Sequence, residues 1–368
     1  MDLAQDTAAR GAPPLPMTIE EIDADWLTAA LRTQAPGATV RSFEIVDSKR
    51  STCTKLRLRL DLDEAGRAAG IPETVILKGG FEPHSRGKYV MHEREVLGYR
   101  DVYPVLKALR TPAAYFTGVD PEQRQAIVIM EDMDRAGVTW CDPLKPQGFE
   151  EVALRLTALA AHHAATWDTD QFAPGGRWDW VGEASVMTRR SYGAVIEDME
   201  SYRHFIASPR AAAASVRFHD RAWLLETLDK LIAYARTTPQ AVLHGDTHLG
   251  NLYVERDGTP GFLDSVVSRG PPLEEMTYHL AGALDMADRR RFEGALIQHY
   301  LEALRSHGVA APSFEAALAQ YAIFLARGFV IFMFNDSIFQ PEAINTAFVA
   351  RFSAAMIDHD TYGRLAAL

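Results

Sequence analysis

LHGDTHLGNLY, residues 243–253, sets two histidines, an aspartate and an asparagine between two apolar runs. Four uses suit so polar a turn: a metal site, a nucleophile site, a phosphoryl-transfer loop, or a plain capped turn. His244 and His248 stand four apart, the spacing of paired zinc ligands on a helix. However, Gly245 follows the first histidine, a strand-like run precedes it, the HExxH glutamate is missing and no cysteine lies nearby, so zinc fits poorly. A nucleophile fits no better. There is no G-x-S-x-G, and Cys141 has no histidine beside it in sequence. Asp and Asn also cap helices and make turns routinely, so the stretch alone leaves the plain turn open beside phosphoryl transfer.

The rest of the chain narrows the choice. Its 368 residues suit two lobes better than one compact core. The apolar share is 47% and the charged share 24%, as in ordinary globular proteins. Lys+Arg is 38 against 49 Asp+Glu, a formal charge of −11. Such an acidic chain is a poor nucleic-acid partner, because phosphate backbones require clustered Lys and Arg. Only Cys53 and Cys141 occur, which points to a reducing, cytoplasmic setting without a disulfide scaffold. MDLAQDTAARGAPPLP lacks a basic start followed by an apolar core and reads as a loose lead-in. AIFLARGFVIFMF (322–334) is interrupted by Arg327 and Gly328. It is shorter than the roughly 18 residues of a membrane span, so a buried helix and no membrane insertion are expected.

Thr18, with Glu21 three positions on, has the pattern of a capping box opening a helix over 18–33. Strand-like pieces follow at 42–46, 55–62 and 73–79. KLRLRLDL alternates strictly, as a half-exposed strand does. A helix is expected from about Tyr89 to Leu109, then a buried strand in AIVIMEDM (126–133). After residue 148 helical patterns dominate, at 150–167, 187–206 and 221–238. NLYVERDGTPGFLDSV reads as a hairpin turning at Asp257-Gly258. The expected organisation is α+β: a loose lead-in (1–17), a small β-rich N-terminal lobe (18–133), a hinge or linker (134–148) and a larger helical C-terminal lobe (149–368).

On this organisation the loop gains a chemistry. The protein-kinase catalytic loop is H-R-D-x-x-x-x-N: the Asp receives the acceptor hydroxyl's proton and the Asn holds Mg²⁺. His244, Asp246 and Asn251 have that spacing. A second metal carboxylate is expected on the next hairpin, where Asp264 stands in GFLDSV. A strand lysine for the α/β-phosphates is found in Lys78, a helix glutamate to pair with it in Glu95, and a buried strand entering a hinge in IVIMEDM. Any one of these matches is weak. Their occurrence together, in the required order, selects phosphoryl transfer over the plain turn.

HGDTHLGN (244–251), FLDS (262–265), EMTYHLAGAL (275–284), EREVLGYRDV (93–102) and IVIMEDM (127–133) together resemble the aminoglycoside phosphotransferase and choline kinase branch of the protein-kinase-like fold. Within it the chain is most similar to ecdysteroid-kinase-like small-molecule kinases and their bacterial relatives, over roughly residues 18–350. The resemblance implies a bilobal protein-kinase-like fold. Three positions depart from the family pattern. VDSKRSTCTK (46–55) has no glycine where a nucleotide loop often carries several, Ser265 replaces a common aromatic, and Glu275 replaces the usual aspartate.

The expected chemistry is transfer of the γ-phosphoryl group of ATP or GTP to a small hydroxyl-bearing acceptor. Asp246 receives or orients the hydroxyl proton. Asn251 and Asp264 hold Mg²⁺, and Lys78, fixed by Glu95, orients phosphates. Ser51 of the glycine-free loop offers hydroxyl and N–H donors. Glu131 to Met133 present hinge backbone to the base, and His244 and His248 brace the loop. The resemblance points to a bulky, weakly charged alcohol. An aminoglycoside would instead use carboxylates such as Asp198, Glu200, Asp285 or Asp336. The phenylalanines of 324–334 read as core. A nucleotide-binding pseudokinase with a scaffolding role, suggested by the glycine-free loop, and a metal-dependent hydrolase are the competing readings. Oligomeric state is left open.

Overall fold

The computed structural model describes residues 12–368, so most of the expected lead-in (1–17) lies outside the described residues. The part inside is anchored rather than loose. Trp26 Nε1–H donates to Pro14 O (2.8 Å), Gln125 Nε2–H donates to Pro16 O (2.8 Å), and Leu15 is buried. The chain divides into two compact units. The first runs to Val105 and takes in Arg110–Thr139; the second takes Leu106–Leu109 and Trp140–Leu368.

The first unit is built on a five-stranded antiparallel sheet, β1 (Val40–Arg50), β2 (Thr54–Leu62), β3 (Thr74–Gly79), β4 (Ala114–Asp120) and β5 (Gln125–Glu131), in the order β1-β2-β3-β5-β4. The alternation of β2 sets its pleat. Leu56, Leu58, Leu60 and Leu62 are buried, whereas Arg57, Arg59 and Asp61 face outward. The leucines pack with Leu27 and Leu31 of the helix Ala24–Arg32. That helix is shorter than expected. Thr18 makes no side-chain cap, and Asp23 caps instead by accepting Trp26 N–H (2.7 Å). A carboxylate at the N-cap both satisfies a first-turn amide and meets the positive end of the helix. β4 was not legible in the sequence, because AYFTGVD neither alternates cleanly nor forms an apolar run. The helix expected over 89–109 is α-helical only over Tyr89–Leu97 and then widens into a π-helical turn at Gly98–Val102.

The second unit is mainly helical. The helix Phe314–Met333 has 20 residues, long and apolar enough to cross a membrane by composition, yet 72% of its apolar window is buried inside the protein. The greasy stretch therefore begins earlier than 322. Phe324, Phe329, Phe332, Met333 and Phe334 are all buried and form core. Two short antiparallel strands, Leu252–Val254 and Pro260–Phe262, turn through Gly258 at φ 90°. They carry the catalytic-type loop and its partner segment.

Candidate active site

Lys78 lies on β3 opposite Lys55 of β2 and Val128 of β5. Its Nζ meets Glu95 Oε2 at 2.5 Å, with the two side chains 7% and 6% exposed. Burying an ion pair costs desolvation that apolar packing would avoid, so such a pair is weak evidence for a stability role. What the pair does provide is a lysine fixed in place by a helix.

The hairpin between β1 and β2 is held in a folded-back shape. Ser51 N–H donates to Cys53 O (3.0 Å), and the Ser51 hydroxyl faces the same oxygen (3.4 Å). The segment after β3 braces the tip: His84 Nε2 meets Ser51 O (2.6 Å), and Ser85 Oγ donates to Thr52 O (2.9 Å). Both donors expected of Ser51 are thus turned onto its own loop. In place of glycines the loop has fixed side-chain tethers.

At the far end of β5, Glu131 N–H is spent on Ala113 O (2.8 Å), and its carboxylate takes Arg110 at 3.0 Å. Arg57 Nε donates to the buried Asp132 (2.9 Å). Met133 opens a one-turn helix, Met133–Ala136, and as its first residue has no N–H partner within the helix. Of the three residues expected to present hinge backbone to a base, Glu131 has its N–H committed to Ala113 O, and Asp132 and Met133 lie beyond the end of β5.

The second unit carries the loop 244–251. Gly245 adopts φ +91°, and a Cβ there would sit 2.0 Å from Val266 O, so only glycine fits this turn. Asp246 follows and accepts two side-chain hydrogen bonds. Asn251 Nδ2–H donates to its Oδ2 (2.9 Å), and the Tyr278 hydroxyl donates to its Oδ1 (3.0 Å). Asn251 Nδ2 also donates to Asp246 O (3.0 Å). Both amide hydrogens of Asn251 are therefore committed, and the atom remaining for a cation is Oδ1.

The hairpin brings Asp264 to Asn251. Leu252 pairs with Phe262, and one step further Leu263 N–H donates to Asn251 O (2.8 Å). Val266 N–H then donates to His244 O (2.9 Å), so the Asp264 segment is tied to both ends of the loop. Asp264 itself stands at φ 55°, a left-handed conformation that costs a non-glycine residue free energy and recurs at functional sites. An amide oxygen and a carboxylate make a hard-oxygen donor pair. That fits Mg²⁺, which takes one or two protein ligands and completes its shell with phosphate oxygens and water. Among the described residues no group of three or more His, Cys, Asp or Glu side chains could hold a metal.

His244 is buried, and its Nδ1 accepts Asp246 N–H (3.3 Å). Burial lowers its pKa against the opposing pull of Glu275, Asp246 and Asp264. His248 Nδ1 accepts Gly250 N–H (3.1 Å), and its ring lies 5.7 Å from both Phe332 and Phe348. Both histidines bond within the loop's own backbone.

The anchor of the loop is Glu275, on the helix Pro272–Ala283. Its buried carboxylate accepts His244 N–H (3.0 Å), Gly245 N–H (2.6 Å) and His163 Nε2–H (2.9 Å). Burial alone would raise its pKa. The His163 hydrogen bond, the two histidines and the Gly245 amide outweigh that and hold it at about 2. The replacement of aspartate by glutamate therefore still delivers a carboxylate to the loop. Tyr278, three residues on, is pushed well above the usual phenol range, first by burial and then by Asp246, so its hydroxyl stays a donor. Neither role was read from the sequence. The signal was the family resemblance of EMTYHLAGAL, in which Glu275 stands in place of the usual aspartate, and it did not say what either side chain would hold.

With this geometry in view, residues 197–312 match the sequence model of the phosphotransferase enzyme family. The segment holds the loop, Asp264, Glu275 and Tyr278. No curated protein matches the chain. Among solved structures, an aminoglycoside phosphotransferase-like protein of Ralstonia eutropha JMP134 aligns at 14% identity and TM-score 0.50, over 92% of this chain and 98% of that one. A choline/ethanolamine kinase family protein of Mesorhizobium loti aligns at 15% identity and TM-score 0.45, over 93% and 98%. Spectinomycin phosphotransferase APH(9)-Ia, solved with ADP and spectinomycin, aligns at 11% identity and TM-score 0.46, over 93% and 99%. The shared fold rests on the first of these. Residues 197–312 thus match the phosphotransferase enzyme family model, within a chain that shares its α+β fold with that aminoglycoside phosphotransferase-like protein.

Proposed function

We propose that the chain is a Mg²⁺-dependent kinase that transfers the γ-phosphoryl group of ATP or GTP to a hydroxyl of a small molecule. The observation that carries this reading is the Asp246 carboxylate bonded to Asn251, with Asp264 tied beside Asn251 by the hairpin. In the reaction the acceptor oxygen forms a bond to the γ-phosphorus and the bond to the β–γ bridging oxygen breaks. The electron pair leaves on the β-phosphate, and the acceptor proton passes to Asp246. Asn251 Oδ1 and Asp264 would hold Mg²⁺, which neutralises charge developing on the phosphates. Lys78, kept in place by Glu95, would bind nucleotide phosphate.

An uncharged or lipophilic alcohol is the acceptor the resemblance points to; of the four carboxylates that a polycationic acceptor would use, three are engaged in caps or turns, and the fourth, Glu200, is exposed. Asp198 caps one helix through Ser201 N–H, Asp285 another through Asp288 N–H, and Asp336 accepts Ile338 N–H. Glu274 is neutralised by Arg327 at 3.2 Å. Thermal-shift titration with ATP and with GTP, each with and without Mg²⁺, tests the nucleotide site. A ligand at 100 times its Kd adds about 2.7 kcal/mol to the folded state. The expected result is a Mg²⁺-dependent rise in wild type that is lost in Asp264→Ala. An equal rise in both proteins would put the metal elsewhere. No rise with either nucleotide would mean that the kinase motifs survive here as a scaffold without a nucleotide site, or that the acceptor must bind first.

A further inference from the structure

We propose that Tyr278 is a positioning residue for this transfer: its hydroxyl, with Asn251 on the opposite side, fixes the rotation of the Asp246 carboxylate. The inference rests on the kinase reading above and goes beyond it by assigning a group outside the loop.

The helix Pro272–Ala283 grips the loop twice. Glu275 holds the backbone amides of His244 and Gly245, and Tyr278, on the same face at i+3, holds the Asp246 side chain. The Tyr278 ring is itself immobile. It stacks on Phe332 with centroids 5.5 Å apart and planes 5° from parallel, and it lies 6.0 Å from Phe352. The Arg327 guanidinium sits 5.4 Å from its centroid, held in turn by Glu274 (3.2 Å) and Thr188 (3.1 Å). With the ring packed, the freedom left to Tyr278 is rotation of its O–H, and that bond points at Oδ1.

A carboxylate with one donor on each oxygen cannot swing about its Cβ–Cγ bond without losing both. Each oxygen still has a second lone pair for the acceptor hydroxyl. A loose, metaphosphate-like transfer asks little base strength of that carboxylate and much of its placement. Misplacement by about 1 Å can cost on the order of 10²-fold in rate. The aromatic packing behind Tyr278 is thereby coupled to the geometry of the reacting group.

Tyr278→Phe keeps the ring and removes the one hydrogen bond. Two readouts decide the proposal: crystal structures of wild type and Tyr278→Phe that resolve the Asp246 carboxylate, and ADP release from Mg-ATP with a panel of alcohols and with water. The expected result is one carboxylate orientation in wild type, and a rotated or split one in a variant that stays folded and loses about a few degrees of melting temperature at most. kcat should fall roughly tenfold or more, as for loss of a hydrogen bond to a charged group, while the KM for ATP stays within about twofold. Added to Asp246→Asn, Tyr278→Phe should cost nothing further. An unmoved carboxylate, an unchanged kcat, or a rise in KM alone would overturn the assignment. If wild type released no ADP and showed no nucleotide-dependent melting shift, the kinase reading would fall. The two crystal structures would still decide what Tyr278 does to Asp246.

Discussion

Asp246→Asn is expected to lose roughly 10²–10⁴ in turnover, the range removed with a positioned proton acceptor, while the protein stays folded and keeps its nucleotide affinity. The local hydrogen bonds show why the fold should survive. Asn251 commits both amide hydrogens to Asp246, one to its backbone oxygen and one to Oδ2. A carboxamide at 246 can turn its oxygen toward Asn251 and its NH₂ toward Tyr278, whose hydroxyl rotates to accept. The backbone ties from Val266 to His244 and from Leu263 to Asn251 involve no atom of the 246 side chain. What disappears is the carboxylate that receives the acceptor's proton. ADP release, melting temperature and nucleotide titration on the same preparation separate these effects. Activity within tenfold of wild type would remove Asp246 from the chemistry. A nucleotide affinity that fell with the activity would mean that residue 246 serves the metal site instead.

The parts of this site that could be read from the sequence are those whose spacing the chemistry dictates. His244, Asp246 and Asn251 lie within one loop, and Asp264 lies one hairpin later, so their order along the chain already encodes their proximity. The Lys78–Glu95 pair was legible for a related reason: a lysine closing a buried strand and a glutamate on the next helix have few ways to meet. Tyr278 and Glu275 were not legible as functional groups. They lie about thirty positions from the atoms they hold, and a tyrosine on a buried helix face looks the same in sequence whether it packs or donates. The hairpin tip failed differently. Ser51 has the donors expected of it, but no sequence rule says that Cys53 O would take them or that His84 and Ser85 would pin the loop. Thr18 lost its cap to Asp23 because competing caps a few residues apart are resolved by how the helix docks, which local pattern does not carry.

Glu275→Ala should be the most damaging substitution that touches none of the reacting groups. Its carboxylate satisfies one buried and one part-buried backbone amide and a buried imidazole N–H. Each buried donor left unpaired costs about 1–3 kcal/mol, so a loss near 3 kcal/mol or more is expected, with turnover falling as the loop loosens around Gly245. Glu275→Gln keeps the volume and one acceptor oxygen and should fall between. The acid side provides an independent check. The Glu275 pKa is held at about 2, below its ordinary 4.5. A carboxylate depressed in the folded state contributes stability that is fully present above its unfolded pKa and is lost as the pH falls toward its folded one. The stability gap between wild type and Glu275→Gln should therefore be constant at neutral pH and shrink between about pH 4.5 and pH 2. Urea unfolding midpoints across that range measure it directly. A gap that stayed the same down to pH 2 would mean that the loop draws on the shape of the side chain and not on its charge. The pull of His163 and His244 on the Glu275 carboxylate would then contribute nothing to the stability of the loop.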